Sequence, residues 1–217
     1  MSETRLRLLL VDDHEVVRRG MAALLEGNER WQIVGEAADG RSAVKLAQES
    51  QPDVVVMDVG MPELNGFEAT RQILKVLPRT EVLILTMHDG EQLVREVIDA
   101  GARGYVLKSD AGRQLVAAVH SLGRHQPYFT SEIAAKVYAE SRQPRRRGRP
   151  PVVGLTPRER EVLQLLAEGH NNREVAARLG RSFKTIETHR ARLMRKVRAP
   201  SLAELVRYAV REGIVAG

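Results

Sequence analysis

Short apolar runs in this chain end on residues that could do chemistry together. Asp12 and Asp13 follow the run at 6–11, Asp58 the run at 54–57, Thr86 the run at 82–85, and Lys108 the run at 105–107. Two carboxylates ~4 Å apart repel by about 4 kcal/mol at an effective dielectric near 20. Such a pair holds a proton or binds a cation. Hard oxygen ligands with room for water and phosphate suit Mg2+. A carboxylate nucleophile, a divalent ion, a donor hydroxyl and an ammonium on one rim match the needs of phosphoryl transfer. Aspartate at the start of a loop is often only a helix cap. Capping does not account for all five.

A second constellation is basic. On a helix over 184–197, Ile186, Leu193 and Val197 fall within an arc of about 40°. Lys184, Thr188, Arg192 and Arg195 occupy a separate arc of about 80°, roughly opposite. A solvated arginine face would look similar. The Gly-terminated short helix before it, however, makes a helix-turn-helix pattern with a basic second helix. The charge balance agrees. Residues 1–140 carry 16 Lys and Arg against 21 Asp and Glu, whereas residues 141–217 carry 18 against 7. A basic end of this kind points to a polyanion, most often nucleic acid.

The elements that must position these groups are legible as alternation. Strand-like runs at 6–11, 33–34, 54–57, 82–85 and 105–107 alternate with helical patterns at 15–25, 41–50, 67–76, 92–100 and 112–122. Turn signals separate them at Asp39–Gly40, Gln51–Pro52, Asn65–Gly66, Asp89–Gly90 and Gly101. Strands apolar throughout imply a parallel sheet covered on both faces. The fold class is α/β: a doubly wound, five-stranded parallel sheet, followed by a small all-α domain of four helices. Such a sheet keeps its functional loops at the carboxyl ends of the strands, which is where the five residues fall.

The C-terminal helices have their own signals. Thr156 with Glu159 reads as a capping box with Pro157 at the first helical position. A helix over about 173–179 stops at Gly180, Ser182 caps the next, and Ser201 with Glu204 opens the last as a second capping box. The expected domains are 5–122, a helical and basic linker at 123–151, and 152–217.

These residues carry two resemblances. Val11-Asp12-Asp13-His14, the run from Met57-Asp58 to Asn65-Gly66, Leu85-Thr86-Met87 and Gly104-Tyr105-Val106-Leu107-Lys108 closely resemble a response-regulator receiver domain. The resemblance implies a phosphoacceptor at Asp58, fed by the phosphohistidine of a sensor histidine kinase. It implies Mg2+ held by Asp13, Asp58 and the backbone carbonyl of Gly60, with Asp12 acting through water. Thr86 and Lys108 would contact the acyl phosphate, and Tyr105 looks like the switch aromatic. One departure is Ser109, where many receivers carry Pro. A cis bond before it would lack the proline discount and cost about 3 kcal/mol.

The run from Leu155-Thr156-Pro157-Arg158-Glu159 to Leu163, with Glu174-Val175-Ala176 and Lys184-Thr185-Ile186-Glu187-Thr188-His189, looks like the LuxR-type helix-turn-helix. Receiver plus this domain is the NarL/FixJ class of response regulators. The resemblance implies that Lys184 and Thr188 face base edges with Glu187 nearby. It also implies that Arg192, Lys196 and Asn172 hold phosphates, and that His189 packs or touches phosphate. The last helix would supply a two-fold contact, so that a homodimer reads an inverted repeat in promoter DNA.

The linker has Arg147-Gly148-Arg149-Pro150, which resembles an AT-hook core for a narrow minor groove. A flexible basic linker is the plainer reading of Arg147 and Arg149. The chain has no Cys, which excludes disulfides, thiolate zinc sites and thiol chemistry. Neither a membrane span nor a signal peptide is read from the sequence, so a cytoplasmic protein is expected. The reading is a phosphorylation-controlled transcription regulator, not an enzyme. One rival is an aspartyl phosphatase, which commonly places a second Asp two positions on, where this chain has Gly60. The other is a constitutive DNA-binding regulator with a phosphorylation-independent receiver.

Overall fold

The structure is a computed structural model that describes residues 5–87, 91–129, 155–212 and 214–215. The chain forms two compact units. In the first, five strands alternate with five helices. These are β1 (Leu6–Val11), α1 (Glu15–Leu25), β2 (Trp31–Ala37), α2 (Gly40–Ser50), β3 (Val54–Asp58), α3 (Gly66–Val76), β4 (Glu81–Thr86), α4 (Glu91–Ala100), β5 (Gly104–Leu107) and α5 (Ala111–Leu122). All pairings are parallel and the strand order is β2-β1-β3-β4-β5. That order sets β1, which leads to Asp12, directly beside β3, which ends on Asp58.

Strand periodicity sends alternate residues to opposite faces. Leu8, Leu10, Val54, Val56, Leu83, Leu85 and Val106 form one core with Met21 and Leu25 of α1 and with Leu115, Val119 and Leu122 of α5. The intervening Leu9, Val11, Val55, Met57, Val82 and Ile84 are buried as well. Burial on both faces explains why these strands read as unbroken apolar runs.

Three expectations need correction or extension. β2 is not two residues but runs from Trp31 to Ala37. It lies at the sheet edge, half-buried, and Gly35 and Glu36 interrupt its apolar signal. Residues 123–128 do not leave the first unit after α5. Tyr128 accepts from the Tyr105 N–H at 3.0 Å and donates to the Arg103 carbonyl at 2.9 Å, extending the β5 edge by one residue. Arg103 and His125 both hold the buried Glu81, at 2.8 and 2.9 Å. The helical and basic linker expected over 123–151 shows no helix at 123–129, and the rest lies outside the described residues, Arg147 and Arg149 included.

The loop after Asp58 folds on a close approach. A Cβ at Gly66 would stand 1.9 Å from the Asp58 carbonyl oxygen. Gly66→Ala should therefore displace the backbone of Asp58 and cost about 3 kcal/mol, at the upper end of overpacking penalties. Thermal unfolding checks this; a variant that melts within a degree of wild type would refute it.

Among its described residues the second unit has four helices, α6 (Pro157–Ala167), α7 (Asn172–Arg178), α8 (Phe183–Val197) and α9 (Leu202–Arg211). Thr156 and Glu159 form the expected capping box, and Asn171 with Glu174 forms another at α7. Ser201 caps α9 through the Glu204 N–H, but the Glu204 carboxylate pairs with Arg207, so only half of that expected box exists. Val162, Leu163, Leu166, Val175, Ile186, Leu193, Leu205 and Ala209 make the core. Gly180, at φ +58, carries the turn between α7 and α8. Arg158 donates to the Leu179 carbonyl at 2.7 Å and to Glu161 at 2.6 Å, tying that turn to α6.

Candidate functional site

Parallel register brings the strand-end residues together. Met57 pairs with Val11 on one side of β3, and Asp58 pairs with Leu85 on the other, one residue before Thr86. Thr86 in turn pairs with Leu107, the residue before Lys108. Lys108 Nζ lies 2.7 Å from Asp12 Oδ2 and 3.0 Å from Asp58 Oδ2. Asp12, Asp58 and Thr86 are 0%, 5% and 2% exposed, so a single ammonium bridges two carboxylates that water barely reaches. Lys108 opens a short 3-10 turn, and no cis peptide bond occurs among the described residues, the Lys108–Ser109 bond included.

The charges are not balanced. Burial, and after it the Asp12 carboxylate, push the Asp58 carboxyl above its ordinary value, against the pull of Lys108 and of the Val59 N–H. Burial also works against the Lys108 charge, but Asp12 and Asp58 together outweigh it and hold that ammonium above the ordinary lysine value. Lys108 thus serves both carboxylates, lying closer to Asp12 than to Asp58.

Asp13 adds a third carboxylate. Its Oδ1 is buried with no hydrogen bond of acceptable geometry, although His14 Nδ1 lies 2.7 Å away. Carboxylate and imidazole atoms of Asp12, Asp13 and His14 lie within 4.8 Å of one another. Sequence reasoning missed the supports. The His14 N–H donates to Asp12 Oδ1 at 2.9 Å, and Arg18, one turn into α1, donates to the Asp12 carbonyl at 2.7 Å. The signal for Arg18 was its i+6 spacing from Asp12 across a strand-to-helix turn, which needs the fold to be read. Tyr105 is 1% exposed in the middle of the sheet edge region.

On α8 the two stripes separate as the spacing predicts. Ile186 and Leu193 are fully buried, while Lys184, Thr188, Arg192 and Arg195 are exposed. The remaining candidates are engaged inside the unit. Lys196 Nζ lies 2.6 Å from the buried Glu159, and Asn172 Oδ1 accepts from Arg190 at 3.1 Å. Burial acts to raise the Glu159 carboxyl, but Lys196 and the Thr156 N–H hold it below its ordinary value. Lys184 lies 3.6 Å from Glu187. His189 is half-buried.

The response regulator receiver domain family matches residues 8–120, and the luxR family of bacterial regulatory proteins matches residues 153–209. The chain belongs to the LuxR-family response regulators. It is 37% identical over 210 residues to the transcriptional regulatory protein LiaR of Bacillus subtilis, covering 97% of this chain and 99% of LiaR. It is 35% identical over 215 residues to the oxygen regulatory protein NreC of Staphylococcus carnosus, covering 97% and 99%. Among solved structures, it is similar to RcsB of Salmonella typhimurium at 26% identity and a TM-score of 0.66, over 96% of this chain and 98% of that one. A structure of RcsB in complex with DNA matches at 26% identity and a TM-score of 0.57, over 94% and 97%.

For a LuxR-family response regulator the two constellations divide cleanly, the acidic rim in the receiver and the cationic stripe in the luxR unit. LiaR is named as a transcriptional regulatory protein and NreC as an oxygen regulatory protein. Among the described residues of this response regulator, no helix is long and apolar enough to cross a membrane.

Proposed function

We propose that Asp58 accepts a phosphoryl group from the phosphohistidine of a sensor histidine kinase, and that the acyl phosphate controls binding of α8 to promoter DNA. The observation that carries this is the Lys108 ammonium held between Asp12 and Asp58. A carboxylate oxygen of Asp58 attacks phosphorus, a P–O bond forms as the P–N bond breaks, and the electron pair returns to the imidazole. Lys108 neutralises charge that the incoming phosphoryl oxygens bring, and the Thr86 hydroxyl stands at the same rim to donate to one of them.

The donor set fits Mg2+: hard carboxylate oxygens, two of them, Asp12 Oδ2 and Asp13 Oδ1, buried without a well-formed hydrogen bond. Asp13, Asp58 and the exposed Gly60 carbonyl would hold it, with Asp12 acting through water. When bound it would supply further positive charge for phosphoryl transfer. Tyr105 and Thr86 are the residues through which phosphorylation would shift the population of receiver states.

In the C-terminal unit, Lys184 and Thr188 face base edges, and Arg192 and Arg195 hold phosphates. On α9, Leu202 and Val210 are exposed eight residues apart, with Val206 between them, an apolar stripe on which two copies would pair over an inverted repeat. Both the kinase and the promoter place this chemistry in the cytoplasm. The first domain reaches at least Tyr128 and the second begins near 152, with the basic linker between.

The test is selection of bound fragments from a genomic DNA pool, with and without a phosphoryl donor and Mg2+. Donor-dependent enrichment of a discrete inverted repeat is expected. Equal enrichment without donor would establish the constitutive regulator instead. No enrichment in either state would overturn the DNA reading.

A further inference from the structure

An exposed phenylalanine opens the helix that carries the cationic stripe. Phe183, the first residue of α8, is 45% exposed, whereas Phe67 in the receiver is 4% exposed. A phenyl ring left in water forfeits the gain of burial. The nearby core, built on Ile186 and Leu193, does not include it.

Polar groups on the flank of Phe183 have partners within the unit. The Ser182 hydroxyl accepts from the Thr185 N–H at 3.1 Å and lies 2.8 Å from the Thr185 hydroxyl. Along the helix below Phe183, Arg190 donates to Asn172 at 3.1 Å. The first turn of α8 therefore offers a partner an apolar ring beside the exposed Lys184 and Thr188.

We infer that Phe183 is a specificity-determining residue, packing on the C5-methyl group of a thymine in each half-site. This rests on the DNA reading above and deepens it. A recognition helix puts its N-terminal residues into the major groove. Helical side chains lean toward the N-terminus, so the first residue overhangs the end that enters. The apolar feature on the groove floor is the thymine methyl, and Phe is one of the side chains that match it. Phe183 stands about 100° around the helix from Lys184 and about 140° from Thr188, on the flank nearer Ile186. Overhanging the end of the helix, it meets a base beside those under the Lys184 and Thr188 face, not the same base.

The experiment uses the full chain, in whichever phosphorylation state binds, on a selected inverted repeat. Each thymine is replaced in turn by deoxyuridine, which removes the methyl and keeps the base pairing. At one position per half-site, wild type should lose about fourfold in affinity per methyl, the worth of one buried methyl. Phe183→Ala should bind the thymine duplex more weakly and no longer distinguish thymine from deoxyuridine there. Phe183→Leu should retain part of the distinction, and circular dichroism should show both variants folded. If Phe183→Ala still discriminates wherever wild type does, or wild type discriminates nowhere, the inference is overturned and the DNA reading stands. If wild type shows no sequence-selective binding at all, both are overturned.

Discussion

Asp58→Asn is expected to abolish phosphoryl incorporation from a small-molecule donor and to flatten the donor-dependent change in DNA binding. An amide oxygen carries no formal charge and cannot form the acyl phosphate. Intact-mass measurement after incubation with donor reads the first effect, and a binding isotherm reads the second. A full phosphoryl load on the variant would mean that another residue is the acceptor. The same substitution should separate catalysis from stability. Burial and Asp12 raise the Asp58 pKa above its unfolded value. The stability tied to its proton is therefore fully present below the unfolded value, near 3.8, and is lost as pH rises through the folded value. In a chelating buffer, Asp58→Asn should thus melt above wild type at neutral pH, and the gap should close toward pH 4. A gap that widened in acid would show that Asp58 is stabilised as the carboxylate.

How much of this was legible before folding depends on whether the signal was local. The strand ends carrying Asp12, Asp58, Thr86 and Lys108 could be read because buried parallel strands are apolar throughout and stop abruptly at polar residues. Their convergence followed from the strand order, and the fold places Asp12 and Asp58 within reach of the Lys108 ammonium. β2 was less legible. As an edge strand it is half-buried, and its Gly35 is there because a Cβ would lie 2.5 Å from Leu46 Cδ2. The Asn171–Glu174 capping box is a local N-x-x-E signal, legible in the sequence alone. Contacts between distant positions were invisible to pattern. Nothing near Lys196 in sequence announces Glu159, 37 residues away, and nothing near Tyr128 announces its pairing with β5. The family resemblance gives Lys196 the same phosphate role as Arg192. The structure divides them.

That division predicts different losses along α8. Among the described residues, Arg192 and Arg195 have no ion pair within the second unit, whereas Lys196 is bonded to Glu159 at 2.6 Å. Free exposed cations are the ones that release counterions when they meet phosphate. The double variant Arg192→Gln with Arg195→Gln should lower the slope of log affinity against log salt by about 1.8 per bound protomer, at about 0.9 per phosphate contact. If those contacts contribute nothing at 1 M salt, the same slope implies about thirtyfold weaker binding per protomer near 0.15 M, the two factors multiplying where a dimer binds. The loss should be nearly equal on selected and unrelated DNA, because phosphates carry no sequence. Lys196→Met should behave otherwise. It strands a carboxylate that is 3% exposed, so its cost appears as a lower melting temperature of the second unit while the salt slope holds. Titrations at four salt concentrations, with thermal unfolding of each variant, separate the two outcomes. If the arginine variant lost affinity only on the selected site, those side chains would be reading bases, and the phosphate role would pass to cations elsewhere in the basic C-terminal segment.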